Sequence, residues 1–314
     1  MRIAITGAAG FIGRQTLAAA LARGHRPVAV VRRAPERSFT EGVEVRVVGD
    51  LLEPKAQEAA VTACEAVIHL AARVGVARSE KRHEAELMRR DNALLTRDLA
   101  EAAARAGCRR FVLASSMKVY GSTTPDGATL TEASATAPNT KYGASKLEAE
   151  QLLAEVGART GLSTISLRPP AVFGPGASAS QLRLLAKLVS RGLPLPLGGV
   201  RNRRSFIYSG NLADALVAAC ESEATGAYVV TDSEPISTAR LVQAIAAATG
   251  RKALLVPTPV PLVWLAARAL GRGEMADSLY ASMAADGAAF RLASGWSPAT
   301  DFERAMALTV GPDQ

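Results

Sequence analysis

Aromatic residues make up only 4% of the 314 positions, so the core must be built from Ala, Leu and Val. Cysteine is scarce. Cys64, Cys108 and Cys220 are odd in number and far apart, which argues against a disulfide scaffold and for a reducing compartment, the cytoplasm. Histidine is equally scarce. His25, His69 and His83 show no metal-ligand spacing with one another or with the cysteines, so no metal centre is expected. No charged segment followed by a long apolar stretch and a cleavage site opens the chain. The longest apolar run, "PVPLVWLAARALG" at 259–271, is too short and too proline-broken to span a bilayer. It is expected to be a core or interface helix. The net charge is +8, yet no basic stripe with interleaved aromatics accompanies it, which argues against a nucleic-acid partner. The charge suits an anionic ligand such as a dinucleotide or a sugar nucleotide, but abundant arginine is also a compositional habit of this chain and carries little weight alone.

Strand and helix patterns alternate through the first half. "RIAIT", "PVAVVRR", "VEVRVVGD", "AVIHLAA", "RFVLASS" and "LSTISLRPP" are short apolar strands. Helical stretches separate them, including "QTLAAALARG" with Gly24 as its C-cap and the long "AELMRRDNALLTRDLAEAAARAG". Such alternation gives parallel strands joined by right-handed crossovers. The expected fold class is α/β, a Rossmann-type doubly wound parallel sheet with a smaller C-terminal substrate-binding lobe. After Pro169 the texture changes, with Pro and Gly crowded into "RPPAVFGPGASAS" and "RGLPLPLGGVRNRRS". Residues 1–170, rejoined by about 204–230, should form the dinucleotide-binding part, and 171–203 with 231–314 the second lobe.

"TGAAGFIG" places Gly7, Gly10 and Gly13 between the first strand and the first helix. Glycine there lets the backbone turn tightly and approach a pyrophosphate, while the helix N-terminus offers free N–H groups and the positive end of its dipole. The second strand ends without the carboxylate that an NAD site uses on the ribose hydroxyls. Arg32 and Arg33 stand there instead and suit a 2′-phosphate, so NADP(H) is favoured, with NAD(H) as the alternative. Asp50, at the end of the third strand, is placed to accept a bond from the adenine amino group.

"TKYGASKLEAEQLL" puts Tyr142 and Lys146 four residues apart on one helix face. A free tyrosine titrates near 10, so work near pH 7 needs roughly 4 kcal/mol of help for its phenolate, which an adjacent ammonium and an oxidised, cationic nicotinamide both favour. The glycine triplet, Asp50, "HLAA", the serine pair of "LASSMKVYG" and "YGASK", in that order, resemble the extended short-chain dehydrogenases/reductases. Within these the chain is similar to the nucleotide-sugar epimerase/dehydratase branch, including the UDP-hexose 4-epimerases. "SSMKVYG", "RPPAVFGPG", "GLPLPLGG" and "NRRSFIYSGNLADAL" look closer still to the 4-ketoreductases of UDP-6-deoxy-N-acetylhexosamine synthesis.

The resemblance implies roles. Tyr142 is the acid/base, Lys146 holds the nicotinamide ribose and lowers the tyrosine pKa, and Ser116 (not Ser115) fixes the substrate oxygen. Asn92 matches a helix asparagine near the nicotinamide. The cofactor site extends to Phe11, Ile12, Leu51, Leu70, Ala71, Ala72, Pro169 and Val172. Arg73, Lys118, Leu197 and Arg204 face the substrate, with Arg204 on the diphosphate. The implied partner is a UDP-linked nucleotide sugar, and a homodimer through two helices is usual in this family. Three departures stand out. Ala171 and Val74 occupy places where the epimerases carry a substrate-contacting Asn and Lys. Met117-Lys118 replaces the Asp-Glu pair that dehydration requires, which rejects a 4,6-dehydratase. A redox-inactive NADP sensor is disfavoured because Tyr142 and Lys146 are both kept. The reading is an NAD(P)-dependent C4 reductase, with a UDP-hexose 4-epimerase holding tight NAD as the alternative.

Overall fold

The computed structural model describes residues 1–125, 127–177, 181–232, 234–271 and 273–311. The first half runs β1 (Arg2–Thr6), α1 (Phe11–Ala22), β2 (Arg26–Val31), β3 (Glu44–Val47), α2 (Pro54–Val61), β4 (Ala66–His69), α3 (Glu84–Met88), α4 (Leu95–Arg105), β5 (Arg110–Ala114), α5 (Lys141–Thr160) and β6 (Ser163–Arg168). The second half adds β7 (Ala171–Phe173), α6 (Gln181–Ser190), β8 (Phe206–Tyr208), α7 (Ser209–Glu221), β9 (Gly226–Val229) and α8 (Thr238–Ala248). Four helices close the chain: α9 (Val260–Ala269), α10 (Gly273–Tyr280), α11 (Ala288–Ser294) and α12 (Phe302–Val310).

Seven strands form one parallel sheet in the order β3-β2-β1-β4-β5-β6-β9. The inner strands are buried on both faces, which is why their sequences read as unbroken apolar runs rather than alternating ones. One face packs Ile3, Ile5, Ile68 and Val112 against α1 and α7. The other packs Ala4, Val67, Phe111 and Leu113 against α2, α4 and α5. The chain winds outward from β1 to β3, then returns to β4 on the opposite side of β1. Strand order reverses there, and the crevice at the C-terminal ends of β1 and β4 is where such sheets bind ligands.

Two local outcomes differ from the pattern-based expectation. "AVF" is a strand, β7, paired in parallel with β8 in a small second sheet. The long helix of residues 84–107 is interrupted: residues Arg89–Leu94 form a π-turn between α3 and α4. A separate core of Phe173, Leu182, Leu185, Leu241, Ile245 and Phe302 holds α6, α8 and α12 together. Among the described residues no helix is long and apolar enough to cross a membrane.

Candidate active site

A groove of about 790 Å³ opens at the crevice, lined by the Gly7–Gly10 turn, Val30–Arg33, Gly49–Leu52, Leu70–Gly75, Arg90 and Asp91. The glycines have steric reasons to be there. Gly7 has φ +67°, and a Cβ on it would meet the Ala71 amide nitrogen at 2.8 Å. A Cβ on Gly13 would lie 2.2 Å from the Gly7 carbonyl oxygen. The turn is therefore folded tight against both β4 and its own helix, leaving the amides at the start of α1 facing the groove. Phe11 and Ile12 form the first turn of α1 and are half-buried. Arg32 and Arg33 are exposed, and among the described residues neither has an ion-pair partner. Asp50, Leu51, Leu70, Ala71 and Ala72 line the same groove.

Arg73 is expected on the substrate side but stands in this groove. Its Nε donates to Asp91 Oδ2 at 2.6 Å, and Nη1 lies 3.7 Å from Glu80. Burial works upward on the Asp91 carboxyl, but Arg90 and Arg73 together hold it below the usual carboxylate range. The Arg73 guanidinium thus lines the groove while bound to two carboxylates.

The reactive cluster sits where α5 begins. Thr140 caps the helix, its hydroxyl accepting from the Gly143 amide at 3.0 Å. Gly143 is needed because a Cβ there would meet the Lys118 carbonyl at 2.3 Å, so "YG" lets the short turn Met117–Tyr120 lie directly on α5. That contact brings the Ser116 side chain toward the Tyr142 phenol, whose ionisation it favours. Ser115 points elsewhere and donates to the Glu150 carboxylate. Desolvation holds the phenol above its ordinary value, and the Ser116 side chain works in the other direction.

Lys146 is 2% exposed. Burial pulls it down to about 8, with the Glu150 charge working the other way. Among the described residues its ammonium has no hydrogen-bond acceptor. Buried ammonium groups need one, so the geometry fits a ligand diol at this point. Together with the tight glycine turn, this matches a nicotinamide dinucleotide lying along the crevice.

Asn92 occupies the π-turn, a helical defect frequent at functional sites. Its Oδ1 accepts from the Arg73 amide at 2.7 Å, and its Nδ2 donates to the Arg73 carbonyl and the Ser145 hydroxyl, both at 2.9 Å. Asn92 thus joins the groove wall to α5 and holds both in place. Pro169 turns the chain from β6 into β7, and its carbonyl accepts from the Met117 amide at 3.0 Å. Val172 packs partly buried against the α1 side of the sheet.

On the second-lobe side, Lys118 Nζ reaches Ser122 Oγ at 3.2 Å. Leu197 was expected at the substrate, but its side chain is 2% exposed inside the second core, which leaves only its backbone to a ligand. Arg204 is half-buried. Its Nη1 donates to the carbonyls of Ala281 at 3.0 Å and Asp277 at 3.4 Å. No carboxylate is paired with it among the described residues, and burial holds it below the usual arginine value.

The sequence reading missed a second layer. Glu150 and Arg168 form a buried ion pair at 2.6 Å. His69 is fully buried, with Nδ1 2.7 Å from Thr6 Oγ1 and Nε2 without a partner. Burial, with help from the Lys146 cation, drives it down to about 3, so it is a neutral imidazole. Glu150 could have been found from spacing, since it lies four residues after Lys146 on the same helix. His69 carries no local signal.

The family model for the NAD dependent epimerase/dehydratase family matches residues 3–231. A UDP-glucose 4-epimerase of Vibrio cholerae is 29% identical over 312 residues, covering 98% of this chain and 94% of that protein. A 3-diazoavenalumate denitrifying reductase of Streptomyces sp is 33% identical over 305 residues, covering 95% and 96%. The solved structure of MoeE5 in complex with UDP-glucuronic acid and NAD superposes with TM-score 0.76 at 26% identity, covering 99% of this chain and 98% of that one. The chain belongs to the NAD dependent epimerase/dehydratase family and is an NAD-dependent enzyme of the extended short-chain dehydrogenase/reductase type.

Proposed function

We propose that this enzyme reduces the 4-keto group of a UDP-linked 4-keto-6-deoxyhexosamine, with NADPH as reductant and Tyr142 as proton donor. The observation that carries the reading is the pair of exposed, unpaired arginines, Arg32 and Arg33, at the groove edge where a carboxylate would select NAD. A reductase exchanges its cofactor every turnover, and NADPH is the common reductant for that use. The glycine turn would hold the cofactor diphosphate, Arg32 and Arg33 its 2′-phosphate, Asp50 its adenine, and Lys146 its nicotinamide ribose. When bound, the reduced cofactor supplies the hydride.

Tyr142 does the rest of the chemistry with Ser116. A phenol raised by burial is protonated at neutral pH, which is the form an acid needs. As the C4 carbonyl oxygen gains negative charge, Tyr142 delivers its proton to it and Ser116 holds it by a hydrogen bond. Arg204, with no carboxylate partner, has capacity left for a diphosphate. The Streptomyces relative is by name a reductase, which supports net reduction, and MoeE5 binds a UDP-sugar, which supports the substrate class. The division into a dinucleotide part (1–170 with about 204–230) and a sugar-nucleotide lobe, and assembly as a homodimer, belong to the same proposal.

Similarity along almost the full length to the Vibrio cholerae epimerase favours one other reading, a UDP-hexose 4-epimerase with retained NAD. Purified protein decides between them. Oxidation of NADPH at 340 nm on adding the 4-keto sugar supports reduction. Protein that carries tightly bound NAD and interconverts UDP-glucose and UDP-galactose without added cofactor overturns it.

A further inference from the structure

The buried stripe of α5 runs through Gly143, Lys146, Ala149, Glu150, Leu153 and Val156. Two ionisable groups thus share a stripe that is otherwise apolar or small, a costly arrangement unless they are paired. Glu150 is richly paired. Arg168 Nε donates to its two oxygens at 3.0 and 3.1 Å, Arg168 Nη2 adds a bond of 2.6 Å, and the Ser115 hydroxyl donates to Oε1. The other edge of Arg168 donates to Tyr120 OH at 2.5 Å, with the guanidinium carbon 4.9 Å above that ring.

These partners have one thing in common. Ser115 precedes Ser116, Tyr120 ends the turn that carries Ser116, and Arg168 precedes Pro169, whose carbonyl receives the Met117 amide. The segments that carry and flank Ser116 are thus anchored on one carboxylate. Lys146, one turn earlier on the same helix, has no acceptor of its own among the described residues.

We propose that Glu150 is a positioning residue for the Tyr142–Lys146–Ser116 centre, its buried negative charge holding Lys146 in the ammonium form. This rests on the redox reading of that centre. The other groups facing Lys146 do not supply the charge. His69, from β4, is neutral, and Tyr142 and Tyr120 are held above their ordinary values by burial. Arg168, from β6, is itself a cation, and its bonds to Glu150 keep it charged despite burial. The π-turn's Asp91 is taken by Arg73 and Arg90, and Arg89 is paired with Glu148 on the outer side of α5. From α4, Glu101 is bound to Arg159.

The test is the titration of Lys146 in protein without ligands. Protein labelled with ¹³C-lysine is followed by the Lys146 Cε–Hε signal, assigned by its loss in Lys146→Met. Wild type should titrate near 8. Glu150→Gln keeps the shape and the acceptor for Ser115 while removing the charge, and its midpoint should fall by roughly one pH unit. Should Glu150→Gln not fold, as judged by circular dichroism, Arg168→Gln leaves the Glu150 charge without its competing cation, and the midpoint should rise instead. A midpoint within about 0.3 pH unit of wild type in whichever variant folds overturns the proposal. No substrate enters the measurement, so its failure is distinguishable from failure of the reductase assignment.

Discussion

Asn92 clasps the backbone of Arg73 from both sides, accepting from its amide at 2.7 Å and donating to its carbonyl at 2.9 Å. The same side chain donates to Ser145 on α5. Residues 70–75 line the cofactor groove, so the clasp ties groove shape to the helix that carries Tyr142 and Lys146.

Asn92→Ala therefore leaves part-buried backbone groups of Arg73 without their side-chain partner. A loss of about 1–3 kcal/mol in stability is expected, together with several-fold weaker NADPH binding. Urea unfolding and fluorescence titration of NADPH measure the two effects. If neither changes, the clasp has no part in shaping the groove.

Tyr142→Phe removes the proton donor and leaves the ring in place. Turnover should fall by roughly 10²–10⁴-fold, while the dissociation constant for NADPH stays nearly unchanged. Turnover within a few-fold of wild type would sink the assignment of Tyr142.

Arg32→Asp puts a carboxylate where an NAD site carries one. The ratio of kcat/KM for NADPH over NADH should fall, because a carboxylate accepts from the ribose 2′-hydroxyl and repels a 2′-phosphate. A wild type that already prefers NADH, or a variant with the same ratio, shows that this loop does not select the cofactor.

The parts of the site legible in the sequence are those built from local constraints. The glycine turn shows because each glycine answers a backbone approach that any side chain would block, and Tyr142 with Lys146 shows because both lie on one helix face. What stayed hidden depends on contacts between distant segments. Arg73 reads as a free cation until Asp91 and Glu80 fold onto it, and Leu197 reads as a pocket residue until the second core closes over it. The π-turn leaves no composition signal, since "RRDNAL" continues a good helical pattern. Spacing likewise shows the ammonium four residues from the phenol but not how deeply both are buried, and desolvation is what holds the phenol above its ordinary value.

His69 and Asp232 should pull the acid stability of the protein in opposite directions. The folded His69 titrates at about 3, below the ordinary histidine value. Between there and about 6.5 the unfolded chain binds a proton that the folded one refuses, so stability is lost as pH falls through that window. Asp232 is raised by burial to about 7, against two donors that work the other way, the Tyr208 amide and Asn211. Between about 4 and 7 the folded chain holds a proton that the unfolded one has released, so its contribution is lost as pH rises. Replacing His69 by Leu removes only the first effect. Urea midpoints at intervals from pH 4 to 6.5 should fall less steeply on acidification in His69→Leu than in wild type. Parallel curves would mean that His69 is charged in the folded protein.

Arg204 decides whether the substrate carries a diphosphate. Its guanidinium is half-buried and anchored to two backbone carbonyls through Nη1. No carboxylate faces it among the described residues, so its donors remain available to an anion and burial strengthens any bond they form. Bidentate donation to a phosphate is a geometry that lysine cannot copy. A charge-assisted bond contributes about 1.5–3 kcal/mol, so Arg204→Ala should weaken UDP and UDP-sugar binding by roughly ten- to a hundredfold. NADP affinity should hardly change, because Arg204 is anchored on Asp277 and Ala281 and is not among the residues that line the groove with the glycine turn. Arg204→Lys should recover only part of the loss. Calorimetric titration of UDP and NADP into wild type and both variants separates these outcomes. A wild type that ignores millimolar UDP, or an Arg204→Ala protein that loses NADP instead, would remove the diphosphate from the substrate and leave a reductase of a carbonyl compound without a nucleotide.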